Sequence, residues 1–134
     1  MQVLAFPCSQ FLEQEVKDDA QIIRFARETM GAKFPLMKRC NVNGADAHPL
    51  FKTLRKKTPC FHNSQTGKIK NIPWNFTKFI IDSDGKPVMY QNPRERLYKK
   101  IDEIEVILGL RGSEEDKAMA LDILKHTLEN KKQL

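Results

Sequence analysis

WNFTKFIIDSDGKPV, residues 74–88, decides the fold. FTKFIID at 76–82 is rich in aromatic and β-branched residues and reads as a strand. Ser83-Asp84-Gly85 reads as a tight turn and KPVMYQ at 86–91 as the returning strand, with Pro87 suited to an edge. The chain's one tryptophan, Trp74, stands beside Asn75 at the mouth of the first strand. Read from residue types alone, Trp74 fits a core or cleft aromatic and Asn75 a turn residue.

Outward from this hairpin the pattern alternates. VLAF at 3–6 ends at Pro7 and reads as a short buried strand, parallel to its neighbours. DDAQIIRFARETM at 18–30 reads as a helix capped by Asp18 or Asp19 and ended by Gly31, with Ile22, Ile23 and Ala26 on one face. FPLMKRCNV at 34–42 is a second strand candidate, followed by a loop at 43–49 with Asn43-Gly44 as its turn and a short helix at about 48–57. Residues 58–73 read as loop. Leu97, Ile101, Ile104 and Leu108 give a helical period from Arg94 to Leu108. A last helix at 113–131 opens on Ser113 and three acids, and buries Ala120, Leu121, Leu124 and Leu128. Two units are expected: an α/β domain over 1–108 and a helical extension over 109–134, packed on the domain surface or used as a docking helix.

The 134 residues carry a net charge of +6, with 40% hydrophobic and 30% charged residues, which is the balance of a globular domain. No apolar run reaches the ~20 residues of a membrane span, and no secretory leader is recognisable at the amino terminus, so a cytoplasmic protein without membrane insertion is expected. Lys52, Arg55 and Lys56 can share a helix face, as a solvated surface or an anion site. The cluster has no interleaved aromatics, so nucleic acid is not expected as a partner. Cys8, Cys40 and Cys60 are odd in number and lack a CxxC pair, and the three histidines are scattered, so neither a disulfide scaffold nor a metal site is expected.

Three motifs in order, FPCSQF at 6–11 followed by Gln14-Glu15, NVNGADAHPLF at 41–51, and WNFTKFIIDSDGKPV, resemble the glutathione peroxidases. The WNFTKF wording and the short segment before it are most similar to the phospholipid-hydroperoxide branch. The resemblance covers about residues 2–108. It implies a thioredoxin-like α/β fold, a mixed sheet flanked by helices. It implies reduction of hydrogen peroxide and organic or lipid hydroperoxides in the response to oxidative stress, with glutathione or a similar thiol as reductant and no bound cofactor. The short 58–73 segment goes with a monomer.

Carried over by motif, the supporting site residues are Gln10, Trp74 and Asn75. By residue type alone Gln10 is equally a turn cap. The resemblance gives the three a shared role: neutral N–H donors that stabilise a thiolate or selenolate nucleophile without supplying a competing acid.

The departures from the family are informative. Its peroxidatic cysteine or selenocysteine sits on a loop after an amino-terminal strand, ahead of the FPC motif, whereas Met1 stands close before Phe6. The expectation is an incomplete family domain without that central strand, its loop and the helix behind it. Cys8 matches a family cysteine beside the site rather than the nucleophile, and reads as a small buried hydrophobe. Leu12 takes the place of a usual glycine. Arg27 lies about where thioredoxin-dependent members keep a resolving cysteine. A catalytically inactive thioredoxin-like binding module is the competing reading.

Overall fold

The computed structural model describes residues 2–16, 18–95, 100–109 and 113–115. They belong to two compact units, Met1–Lys52 and Thr53–Leu134. The boundary expected between residues 108 and 109 adjoins a stretch mostly outside the described residues. So does the helix expected at 113–131, of which only 113–115 are described.

In the first unit the two expected strands meet at one parallel bridge, Ala5 with Leu36. Ala5 N donates to Pro35 O at 3.1 Å, Met37 N donates to Ala5 O at 2.8 Å, and Cys40 N donates to Pro7 O at 3.0 Å. The pairing goes no further as a ladder because Pro7 and Pro35 have no N–H to give. The expected burial of VLAF is corrected: Val3 is 47% and Leu4 52% exposed. A parallel strand is buried only when neighbours cover both its faces, and a single bridge does not provide that cover.

Asp18 caps the first helix, α1, Asp19–Arg24, its side chain accepting from Ala20 N at 3.1 Å. The expected helix to residue 30 widens after Arg24 into a π-helical turn, Phe25–Thr29. Met30 N closes it on Phe25 O at 3.1 Å, and Gly31 (φ 64°) ends it. Ile22 is buried but its neighbour Ile23 is exposed. Adjacent helix positions point about 100° apart, so a six-residue helix cannot bury both.

Leu12 shows what the absent glycine means. It lies at φ 54° and Glu13 at φ 50°, both left-handed, with Leu12 77% exposed. The left-handed region costs a residue with a Cβ about 1–2 kcal/mol. Glycine relieves that strain but gives back about 0.5–1 kcal/mol of unfolded-state entropy. Leu12→Gly is therefore expected to stabilise the protein by roughly 0.5–1 kcal/mol, and Leu12→Val to destabilise it, as read from urea midpoints.

His48 opens the second helix, α2, Pro49–Lys57. Its Nδ1 accepts from Leu50 N at 3.2 Å and its carbonyl from Phe51 N and Lys52 N. Pro49 suits the first helical position, where no N–H is needed. The basic cluster on this helix is not a free cationic face. Lys52 Nζ donates to Ala45 O at 2.6 Å, and the buried Arg55 donates through Nη1 to Asn71 Oδ1 at 3.1 Å.

In the second unit the stretch read as loop holds more order than expected: a 3-10 turn at Pro59–Phe61 and an antiparallel bridge between His62 and Ile69. Asn63 organises the tip of that bridge, Oδ1 accepting from Gln65 N and Thr66 N at 3.0 Å each. The central hairpin is as read. Strand β1, Lys78–Ile81, pairs antiparallel with β2, Pro87–Gln91, Phe79 opposite Tyr90 and Ile80 opposite Met89, with an irregularity after Ile80. Asp82 Oδ1 makes the turn by accepting from Asp84 N at 3.0 Å and Lys86 N at 2.9 Å.

Helix α3, Ile101–Ile107, covers this hairpin. Met89, Ile104 and Ile107 form the core there, with Ile80, Val88 and Leu108 against them. The expected face is corrected in one position: Ile101 is exposed and Ile107 takes the buried place. Leu97 lies outside the described residues. Phe61 stacks on Phe79 at 5.6 Å and meets Tyr90 edge-on at 4.9 Å.

Candidate active site

Gln10 follows the Pro7–Cys40 pairing and its amide clamps the NVNG segment. Oε1 accepts from Val42 N at 2.8 Å and Asn43 N at 2.9 Å, while Nε2 donates to Asn43 O at 3.0 Å. The Cys8 thiol also donates to Oε1, at 3.6 Å. The carbonyl end is thus saturated. A primary amide carries two N–H donors, so one N–H of Nε2 is left to serve another acceptor. Gln10 is thus a turn anchor, as its residue type suggested. Asn43 was missed as its partner, because the Asn43-Gly44 pair gives a turn signal and nothing more.

Trp74 and Asn75 sit on a bend that leads into β1. Thr77 Oγ1 donates to Trp74 O and Lys78 Nζ to Phe76 O, both at 2.8 Å. Burial lowers the pKa of that lysine below its ordinary value. Trp74 is 42% exposed and Asn75 half-buried, so the indole is not a core aromatic. Phe76, between them and the strand, is at φ 60° and 83% exposed. A bulky residue in the left-handed region costs about 1–3 kcal/mol and persists only where its surroundings enforce it. The turn fixes the direction of Trp74 and Asn75 at the expense of both strain and an exposed ring. Gln10 belongs to the first unit and Trp74 and Asn75 to the second.

The cysteines are poorly suited to peroxide attack. The nucleophile must be a thiolate. Burial first, and the neighbouring Cys8 second, push the Cys40 thiol above its ordinary value, so it stays protonated at neutral pH. Cys8 is buried and Cys60 half-buried, and none of the three is in a disulfide. Arg27 is tied to the helix end, donating through Nη1 to Ala32 O. Among the described residues no three His, Cys, Asp or Glu side chains gather where a metal could be held. No described helix is long and apolar enough to cross a membrane.

Comparison with known proteins gives these motifs their context. The glutathione peroxidase family model matches residues 1–55. The hydroperoxy fatty acid reductase gpx1 of Synechocystis sp. is 44% identical over 86 residues, 64% of this chain and 51% of that protein. The glutathione peroxidase homolog BsaA of Bacillus subtilis is 37% identical over 108 residues, 81% of this chain and 64% of that protein. The chain is similar to glutathione peroxidases, in the family-model match and in both relatives. A solved family structure, T. cruzi GPX1, superposes with a TM-score of 0.57 at 32% identity, covering 83% of this chain and 63% of that one. That likeness carries the thioredoxin-like α/β fold class. The chain spans about half to two thirds of the length of the family members it matches.

Proposed function

We propose that this chain serves a thiol-dependent peroxidase that reduces hydrogen peroxide and organic or lipid hydroperoxides, with glutathione or a similar thiol as reductant. The observation that carries the reading is the strained turn at 74–77, which holds an indole N–H and a side-chain amide at the mouth of β1 where packing alone would have buried the ring. The names of relatives point the same way: hydroperoxy fatty acid reductase, and a probable phospholipid hydroperoxide glutathione peroxidase of Mesembryanthemum crystallinum that is 43% identical over 89 residues.

In this reading the peroxidatic Cys or Sec comes from the strand and loop that the family carries ahead of the FPC motif. Its anion attacks the outer peroxide oxygen, the O–O bond breaks, and the alcohol leaves with a proton. The product is a sulfenic or selenenic acid, which two thiol equivalents return to the starting state with loss of water. Gln10, Trp74 and Asn75 contribute the remaining Nε2–H, the indole N–H and the amide N–H to the anion. Three neutral donors lower the energy of the anion and of the charge developing in the transition state without a competing proton source. The protein is assigned to the cytoplasm as a monomer, in keeping with three thiols that are in no disulfide. Among the described residues nothing favours a binding module without catalysis.

The reductant provides the test. The chain is joined to the amino-terminal segment of the B. subtilis relative and assayed with glutathione plus its reductase, or thioredoxin plus its reductase. Arg27 in place of a resolving cysteine predicts turnover with glutathione and little with thioredoxin. Failure with both reductants would remove the peroxidase reading, and a thioredoxin preference would remove the glutathione assignment.

A further inference from the structure

The pairing in the first unit sets Cys8 against Cys40. At the Ala5–Leu36 bridge, the N–H that reaches Ala5 O comes from Met37, one residue past the partner. By the same parallel geometry, the single bond from Cys40 N to Pro7 O sets Arg39 beside Pro7, and continuing that register by one residue sets Cys40 beside Cys8, although Ala5–Leu36 is the one bridge between these segments among the described residues. The step from Ala5–Leu36 to Pro7–Arg39 includes one extra residue on the second segment, as in a bulge. Side chains alternate along extended segments. Arg39 Nη1 reaches Ser9 Oγ at 3.1 Å on one side, which leaves Cys8 and Cys40 together on the other. Burial first, and Cys8 second, raise the pKa of Cys40, in keeping with that placement. Neighbouring strands lie about 4.8 Å apart, inside the ~4.4–6.8 Å window of Cα separations that a disulfide spans.

We propose that Cys8 and Cys40 form a redox pair that a hydroperoxide closes to an intramolecular disulfide. Cys40 is half-buried and Cys8 buried, so peroxide meets Cys40 first. The small fraction of Cys40 present as thiolate attacks the outer peroxide oxygen, at a stoichiometric rather than an enzymatic rate; the O–O bond breaks and the alcohol departs with a proton. The Cys8 sulfur then attacks the Cys40 sulfenic acid, the S–O bond breaks, and water leaves. Two thiols give up two electrons, and the hydroperoxide takes them to become alcohol and water. The disulfide removes the S–H donor from Gln10 Oε1 and leaves the donations from Val42 N and Asn43 N in place. This proposal stands on the pairing geometry and does not depend on the peroxidase reading.

The three cysteines fall on separate tryptic peptides, residues 1–17, 40–52 and 58–68, so their pairing is directly readable. The full chain is reduced, freed of reductant, treated with stoichiometric tert-butyl hydroperoxide or diamide, alkylated in denaturant and digested. Alkylatable thiols are expected to fall from three to one, with loss of two hydrogens, a 1–17/40–52 linked peptide, Cys60 alkylated, and monomer on a non-reducing gel. Cys60→Ser is expected to keep the link and Cys40→Ser to abolish it. Any of three outcomes would overturn the proposal: three thiols persisting after oxidant, an intramolecular link that includes Cys60, or a Cys8–Cys40 link found only between chains.

Discussion

Trp74→Phe is expected to lower the rate of hydroperoxide reduction about 10²–10³-fold, the loss that follows removal of one oxyanion-type donor. The measurement uses the chain joined to the B. subtilis relative's amino-terminal segment. Phe keeps the flat apolar ring and drops the indole N–H. The ring is 42% exposed, so little packing depends on its size. Thr77 Oγ1 donates to the Trp74 carbonyl, which the substitution leaves untouched, so the turn keeps its internal bond. The melting temperature is therefore expected to move by a few degrees at most. Rate and melting temperature are to be measured on the same samples. An unchanged rate with a large fall in melting temperature would make Trp74 a packing residue and remove it from the site.

The parts of the fold legible in the sequence are those built by local chemistry. The turn at Ser83-Asp84-Gly85, the Asp18 cap and the Gly31 stop all act within a few residues, and each was readable as a turn or helix signal, although Asp82, whose carboxylate gathers Asp84 N and Lys86 N, was read as strand. What escaped depends on distant neighbours. The period over 94–108 named Ile101 and left out Ile107, because the hairpin decides which stripe of α3 is buried. VLAF is apolar enough for a buried strand, but its exposure is set by what lies beside it. The His62–Ile69 bridge was hidden by loop-forming residues that here make its tip.

The site was legible in a different way. Composition and periodicity offered Trp74, Asn75 and Gln10 only as a cleft aromatic, a turn residue and a cap. The motif resemblance supplied their shared role. Neither source showed that Gln10 clamps Val42 and Asn43, a contact across more than thirty residues of sequence, or that Phe76 carries backbone strain beside the proposed donors.

The central claim is that these residues furnish the donor side of a peroxidase site whose nucleophile lies in the family's preceding strand and loop. Its most direct test is a coupled assay with glutathione, glutathione reductase, NADPH and a hydroperoxide. The 134-residue polypeptide is assayed alone and then with the relative's peroxidatic segment supplied, fused or as a separate fragment. Alone, with the Cys40 thiol held protonated and Cys8 buried, it is expected to match free thiols at equal concentration. With the segment, turnover is expected to rise by several orders of magnitude toward enzymatic rates, with a gain in melting temperature from the added sheet and core. Enzymatic turnover by the 134 residues alone would contradict the account by placing the nucleophile among Cys8, Cys40 and Cys60.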